Sequence, residues 1–220
     1  MIVNKKLDRF LIACILGDGY ITFKKRGKEI YLGIQHGKKQ KKYLEYKSKI
    51  LKKLKLKNHI NNINLSKKRQ FKAFRLTSYN NKLFLHYRNL FYKNKKKILN
   101  RKILNKLDKL GLAIWWQDDG CLSVYTNSNK STHRYGKLCT HGFSLKENQI
   151  IQKYFLEKWK INVRPKLEKR KYWYIYINST NLKKFFKLIR PYIHKSMNYK
   201  INMKFKKKDL KKFNFYSYKN

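Results

Sequence analysis

The sequence predicts an α+β fold built from two copies of one αββαββα unit, and three observations carry the prediction. An apolar run ending in Asp-Gly occurs twice, as LIACILGDG over 11–19 and as LAIWWQDDG over 112–120. Each copy is followed by the same succession of hairpin, helix, hairpin and helix signals. The chain is also basic along its whole length: 57 Lys and Arg against 11 Asp and Glu give a formal charge of +46. With 42% hydrophobic and 15% aromatic residues beneath that charge it has a core to bury, unlike a disordered basic arm.

Each repeated run reads as a helix with an apolar face, a carboxylate in its last turn and a glycine just past it. In the first half, 20–23 and 29–36 are rich in aromatic and β-branched residues and flank a basic, Gly-containing turn, which predicts a hairpin. Residues 43–56 set Tyr43, Tyr46, Ile50, Leu51 and Leu54 at helical spacing, with lysines on the other face. A second hairpin is expected from 60–65 and 71–77 through the turn 66–70, then a helix over 80–92. The second half repeats the order: strand 121–125, a polar tip over 126–135, and strand 137–143. Ser144 with Glu147 forms an N-cap and acid signature that opens a helix to about 160. Strands 162–167 and 172–178 join through 168–171, and a helix runs from 179 to about 190. The organisation predicted is an N-terminal repeat over 1–95, a charged connecting segment over 96–109, a second repeat over 110–203 and a basic tail over 204–220.

A charge of this size opposes compaction and calls for a polyanionic partner, with nucleic acid first. A membrane surface is disfavoured, since no segment is both long and apolar enough to span or anchor. Cys14, Cys121 and Cys139 are an odd set without metal-ligand spacing and read as small apolar core residues in a reducing compartment. The N-terminus leads directly into the first motif and leaves no room for a targeting peptide. The abundance of Lys, Asn, Ile, Tyr and Phe points to an A/T-rich coding genome.

The two carboxylates carry the chemistry. At a helix C-terminus the macrodipole is negative, so Asp18 and Asp119 each want a cation. If the two motif helices pack together, the acids repel unless a metal or proton lies between them. A capping role for both is a poor alternative, because it must hold twice in a chain with six aspartates. For the Asp118 side chain, a solvated or capping role is the better reading. Ala13 and Gly17 suit a close helix approach, Gln117 makes that interface asymmetric, and Trp115 and Trp116 read as core residues. Each half leaves one face of an antiparallel sheet open, and two such faces side by side form a saddle of antiparallel sheets over DNA, with β-ribbons for the major groove. The DNA contacts expected are Lys24, Lys25, Arg26, Lys28, Lys67, Lys68, Arg69, Lys72 and Arg75 in the first half. In the second they are Lys130, Arg134, Lys137, Lys169, Arg170 and Lys171. For any one lysine a solvated role is commoner, but for the turn clusters together phosphate contact is expected.

The paired motifs resemble those of the LAGLIDADG homing endonucleases, in the form where one chain carries both copies. The second motif keeps the leading Leu112-Ala113 and the closing Asp119-Gly120, and the first keeps Ala13 and Gly17-Asp18-Gly19. The resemblance covers about residues 6–202. It implies that Asp18 and Asp119 are metal-binding catalytic acids, joined by the backbone carbonyls of Gly17 and Asp118. It implies a basic residue after the last helix of each unit: Lys200 in Met197-Asn198-Tyr199-Lys200-Ile201, and one from Lys95-Lys96-Lys97-Ile98. The register there admits Lys96 or Lys97, with Lys96 favoured. Gln35 resembles a polar residue that orders active-site water, and His141 is read as its counterpart.

The expected activity is site-specific cleavage of double-stranded DNA by a monomer, leaving short 3′ overhangs. Two or three divalent ions, expected to be Mg2+, are shared between Asp18 and Asp119, with Lys96 and Lys200 offsetting developing charge. The resemblance further implies an intron-encoded protein of a mitochondrion or chloroplast. Two other classes stay open. One is an RNA maturase that assists group I intron splicing, docking intron RNA through outer-helix lysines such as Lys47, Lys52 and Lys153. The other is a non-catalytic DNA-binding protein, against which the two intact acids argue.

Overall fold

A computed structural model describes residues 4–24, 27–64, 72–126 and 132–204. The first motif forms α1 (Lys5–Leu16), capped at its start by the Asn4 side chain, which accepts from the Lys6 amide at 2.8 Å. Strands β1 (Gly19–Lys24) and β2 (Glu29–Gly37) follow, then α2 (Lys41–Lys53), β3 (Asn58–Asn64), β4 (Lys72–Ser78) and α3 (Leu83–Phe91). The second copy gives α5 (Lys109–Asp119), β7 (Gly120–Thr126), β8 (Thr132–Leu138), α6 (Leu145–Trp159), β9 (Arg164–Glu168), β10 (Tyr172–Ile177) and α7 (Ser179–Ile189). Both halves therefore run αββαββα, as the repeat predicts. The expected cap on α6 is present in full, with Ser144 and Glu147 each bonding the other's backbone amide.

Between the copies, the connecting segment folds into a two-residue hairpin and a short helix that the sequence reading missed. Strands β5 (Tyr92–Lys93) and β6 (Lys96–Lys97) turn through Asn94 and Lys95, whose φ values of 49° and 63° are both positive. Positive φ at both central residues is the signature of the tight hairpin turn whose twist matches its strands, and Asn tolerates it well. Helix α4 (Arg101–Asn105) then starts at Asn100, whose side chain accepts from the Ile103 amide at 3.0 Å.

By contacts, the chain divides into two units. Of the described residues, the first holds those up to Asp119 together with Ile189–Asn198, and the second holds those of Gly120–Leu188 and those from Tyr199 to Lys204. In the first unit the antiparallel sheet has the order β1-β2-β4-β3, with α2 and α3 on one face. Alternation sends Ile21, Leu32, Ile34 and Leu76 to the helix side, where they are buried. The other face presents Tyr20, Thr22, Tyr31, Gln35, Arg75, His59 and Asn61. The motif helices α1 and α5 pack against each other in this unit. Leu11 to Leu16 and Leu112 to Gln117 are all buried, Trp115 and Trp116 among them. A Cβ at Gly17 would lie 2.7 Å from the Asp118 Cβ, so glycine is required at that approach of the two motifs, whereas a Cβ at Gly111 would make only ordinary contact with the Ala13 methyl at 3.6 Å.

The second unit repeats the sheet in the order β7-β8-β10-β9. Helix α6 packs on β9 and β10, and the Phe155 and Phe185 rings join α6 to α7 at 5.7 Å. Its other face is rich in tyrosine: Tyr125 stacks on His133, and Tyr135 lies 5.1 Å from Tyr176.

Candidate active site

Helix α1 ends at Leu16, and the chain turns through Gly17 to put Asp18 at the surface, its side chain 37% exposed. The negative end of α1 is met by Lys97, whose Nζ donates to the carbonyls of Ile15 at 2.6 Å, Gly19 at 3.0 Å and Gly17 at 3.2 Å. Burial pulls the Lys97 ammonium below the ordinary lysine range, against the attraction of Asp119, Asp18 and Asp118. The β5–β6 hairpin delivers Lys97 to this place and leaves Lys96, its neighbour, exposed. The preference for Lys96 is thus corrected by strand alternation: adjacent residues face opposite ways, and Lys97 faces the acids.

Asp119 ends α5 and accepts from the Trp115 indole N–H at 3.1 Å. Asp118 beside it is neither solvated nor a cap, contrary to the sequence reading. Its side chain is wholly buried and receives the Lys47 ammonium on both oxygens, at 2.6 and 2.8 Å. Its Oδ2 also accepts from the Asp18 backbone amide at 3.1 Å. Lys47 is fully buried too, which removes it from any outer-helix docking surface; Lys52 and Lys153 are exposed. Burial is the strongest single influence and works against the Lys47 charge, but Asp118, Cys14 and Asp18 together outweigh it and hold the ammonium above the ordinary lysine range. His36, buried on β2, completes the cluster: Nε2 lies 3.3 Å from Lys47 Nζ and Nδ1 lies 3.0 Å from Gln40 Oε1. Lys47 carries donors only, so Nε2 accepts and the ring proton sits on Nδ1, which also faces Asp18 Oδ2 at 3.4 Å.

Asp18, His36 and Asp118 bring one ligand atom each within 4.8 Å of one another, the spacing of a metal-holding group. Lys47 already meets the charge of Asp118, which leaves the exposed Asp18 carboxylate as the member of the three with charge to offer a cation. A carboxylate at the negative end of a helix, with a backbone carbonyl beside it, is a hard oxygen donor set and fits a divalent cation.

Residues 9–185 match the LAGLIDADG DNA endonuclease family. The chain belongs to that family. It is 30% identical over 138 residues to the intron-encoded endonuclease ai4 of Dictyostelium discoideum, covering 62% of this chain and 81% of the relative. It is 29% identical over 208 residues to the probable intron-encoded endonuclease 1 of Wickerhamomyces canadensis, covering 90% of this chain and 85% of the relative. Among solved structures, the homing endonuclease I-WcaI bound to its DNA recognition sequence superposes with a TM-score of 0.78 at 25% identity, over 93% of this chain and 89% of that one. The resemblance read from the two motifs is borne out at the level of family and fold.

Within this LAGLIDADG chain the remaining predicted residues fall in several places. Gln35, Arg75 and Asn61 form one cross-strand row on the open face of the first sheet. The Gln35 amide oxygen, turned toward the guanidinium, accepts from Arg75 Nη2 at 2.6 Å and Nε at 2.7 Å. His141 is not the counterpart of Gln35. Gly19 pairs with Ile34 and Gly120 with Leu138, so the residue after each pair is Gln35 in one sheet and Cys139 in the other. His141 lies two residues farther on, past the strand, with Nε2 3.5 Å from Glu168. Lys200 is half-buried at the end of a 3-10 turn, Lys195–Lys200, close enough to influence the Cys121 thiol.

Of the basic contacts, Lys24, Lys28, Lys72, Lys169, Arg170 and Lys171 are exposed. Arg134 does not belong with them. It falls on the inward register of β8, is 7% exposed, and donates to the carbonyls of Met203 and Lys204 at 3.0 and 2.6 Å. Lys137 is on the outward register, but Glu168 meets its charge at 2.6 Å. Lys25, Arg26, Lys67, Lys68, Arg69 and Lys130 lie outside the described residues. The cysteines divide: Cys14 is buried, which pushes its thiol up to about 12, whereas Cys121 and Cys139 are only half-buried.

The sequence reading missed Lys47 and His36, although a signal for each was present. Lys47 lies four residues from both Tyr43 and Leu51, on the apolar stripe of α2. His36 continues the inward alternation of Ile30, Leu32 and Ile34 along β2.

Proposed function

We propose that this family member is a site-specific DNA endonuclease that uses Mg2+ to hydrolyse a phosphodiester in each strand of a duplex and leaves short 3′ overhangs. The observation that carries the reading is the packing of α1 on α5 with an acid at the end of each and the Lys97 ammonium among the terminal carbonyls. Asp18 and Asp119, with the carbonyls of Gly17 and Asp118, would hold two or three divalent ions. Bound there, such ions lower the pKa of a water nucleophile and stabilise attacking and leaving oxygens.

The chain's own side chains do the rest. Lys97, fixed by three carbonyls, presents a positive charge that offsets the charge developing at phosphorus, and Lys200 is its counterpart after the second repeat. Oxygen donors at both helix ends favour Mg2+ over softer metals. Gln35, oriented by Arg75, orders solvent or phosphate at the edge of the first sheet. The basic turns, with Lys24, Lys28, Lys169, Arg170 and Lys171, take phosphates and set register, while the outward rows of both sheets read bases. Among the described residues no helix is long and apolar enough to cross a membrane. The relatives' names support an intron-encoded origin, and an organelle is the compartment proposed with it.

The test is incubation with a library of long duplex targets with and without Mg2+, followed by mapping of cut ends. The reading predicts paired cuts near one site, only with metal, and binding that weakens by on the order of a thousandfold from low to moderate salt if about six phosphates are neutralised. Cleavage of RNA alone, or binding insensitive to salt, would overturn it.

A further inference from the structure

The Lys47–Asp118 pair is expensive to bury, and replacing such a pair by apolar residues often leaves stability unchanged or improved. Its presence between the packed helices therefore asks for a geometric reason. The geometry supplies one. Asp118 comes from the second motif but turns its carboxylate away from Asp119 and into the first: Oδ2 accepts the Asp18 amide at 3.1 Å. A Cβ on residue 17 would lie 2.3 Å from that same oxygen, so the close seat exists because residue 17 is glycine. Lys47 donates to both oxygens, and the Tyr43 ring covers its ammonium at 4.5 Å. The Tyr43 hydroxyl in turn donates to the Ile114 carbonyl at 3.5 Å, tying α2 to α5. His36 bridges Lys47 to the Asp18 carboxylate.

The first motif has no reciprocal of this arrangement, because Gly17 stands where the second motif has Asp118. Asp119 is steadied instead by the indole of Trp115 in its own helix. The two acids are thus held by different means.

We propose that Asp118 and Lys47 are positioning residues for Asp18: the buried pair fixes the Gly17-Asp18 turn so that the Asp18 carboxylate presents in one orientation. The inference rests on Asp18 being a metal-binding acid of the cleavage reaction. It makes the two catalytic centres non-equivalent, with the Asp18 centre dependent on a residue from the other motif.

The test compares the full-length parent with Asp18→Asn and with the double variant Lys47→Met/Asp118→Ala, which leaves no buried charge unpaired. Thermal stability, affinity for a cognate duplex without divalent metal, and single-turnover cleavage of each strand in Mg2+ are measured. Positioning predicts a double variant with near-parental melting and affinity but cleavage slowed by about a hundredfold, the loss expected when a reacting group shifts by about 1 Å. The loss should fall most heavily on the strand most affected by Asp18→Asn. A double variant that cuts both strands like the parent, while Asp18→Asn does not cut, overturns the positioning role and leaves the acid's role intact. An Asp18→Asn variant that cuts like the parent removes the underlying reading instead. Should the double variant fail to fold, Lys47→Arg keeps the charge but lengthens the clamp. Slower cleavage and a raised Mg2+ requirement at parental affinity are then expected, and parental values for both overturn the proposal.

Discussion

Substituting Gly17 by alanine tests the packing on which the site depends. The added Cβ would lie 2.3 Å from Asp118 Oδ2, 2.7 Å from its Cβ and 2.9 Å from its Cγ. None of these atoms is the loose end of a flexible chain, because Lys47 holds the carboxylate at 2.6 and 2.8 Å inside a wholly buried site. Two responses are available. The helices α1 and α5 can separate locally, an overpacking strain that costs about 1–3 kcal/mol. Alternatively Asp118 swings off Lys47, and breaking a buried pair costs about 3–5 kcal/mol. The protein takes the cheaper course, so the expected loss is about 2–3 kcal/mol, at the upper part of the strain range. For a chain of this size that lowers the melting temperature by about 4–12 °C. The assay is thermal and urea unfolding of Gly17→Ala beside Gly37→Ala, whose Cβ would meet nothing within 4 Å. The control should stay within about 0.5 kcal/mol of the parent. In the Lys47→Met/Asp118→Ala background the carboxylate atoms at 2.3 and 2.9 Å are gone but the Cβ of residue 118 at 2.7 Å remains, so the cost of Gly17→Ala should fall without vanishing. Equal stability of Gly17→Ala and Gly37→Ala would refute the reasoning.

The neighbouring lysines provide a second test: Lys97→Met should reduce single-turnover cleavage by about 100-fold or more, as removal of one preorganised charge-stabilising donor does elsewhere, while Lys96→Ala should stay close to the parent. A larger loss from Lys96 would restore the other register. A third concerns the half-buried thiols. A hydrogen bond from Cys139, against the effect of burial and helped by Lys137 and Lys200, brings the Cys121 thiol from 9.0 down to about 7. Alkylation of Cys121 in the native protein should therefore rise with pH and reach half its maximal rate near pH 7, with Cys14 unreactive. In Cys139→Ala the midpoint should move up, and an unchanged midpoint would remove Cys139 as its cause. A fourth uses Arg134→Ala, which should destabilise the second unit by releasing two carbonyls, while leaving the salt dependence of DNA binding unchanged; a shallower salt slope would return Arg134 to the DNA contacts.

The repeat was legible because its signals are local. The Asp-Gly stops, the alternation around basic turns and the Ser144–Glu147 cap each act within a few residues, and each element they predict is present, although the strand expected over 137–143 runs instead over Thr132–Leu138, into the stretch expected to be a polar tip. The site was less legible, for reasons of side-chain direction. Lys96 and Lys97 cannot be told apart by composition, and a two-residue hairpin too short to show periodicity decides between them. Arg134 looked like one more basic residue near a strand tip, yet the strand's two-residue period turns it inward. His141 stands as the counterpart of Gln35 through the family resemblance alone, and register assigns that place to Cys139. A solvated or capping role is the sequence expectation for Asp118 and an outer-helix surface role that for Lys47, and 71 residues separate them. Only the packing of α1, α2 and α5 brings such a pair together, and no local pattern encodes it.

The proposed cleavage chemistry rests most directly on the two acids that end the motif helices. Asp18→Asn and Asp119→Asn keep the volume of each side chain and remove its charge, and neither acid is needed to contact the outer sheet faces. Cleavage of the cognate duplex by each variant, read as double-strand cutting and nicking across an Mg2+ titration, is the decisive measurement. Both variants should lose double-strand cutting at every Mg2+ concentration while binding the duplex without metal as the parent does. Full double-strand cutting by either variant would contradict the assignment.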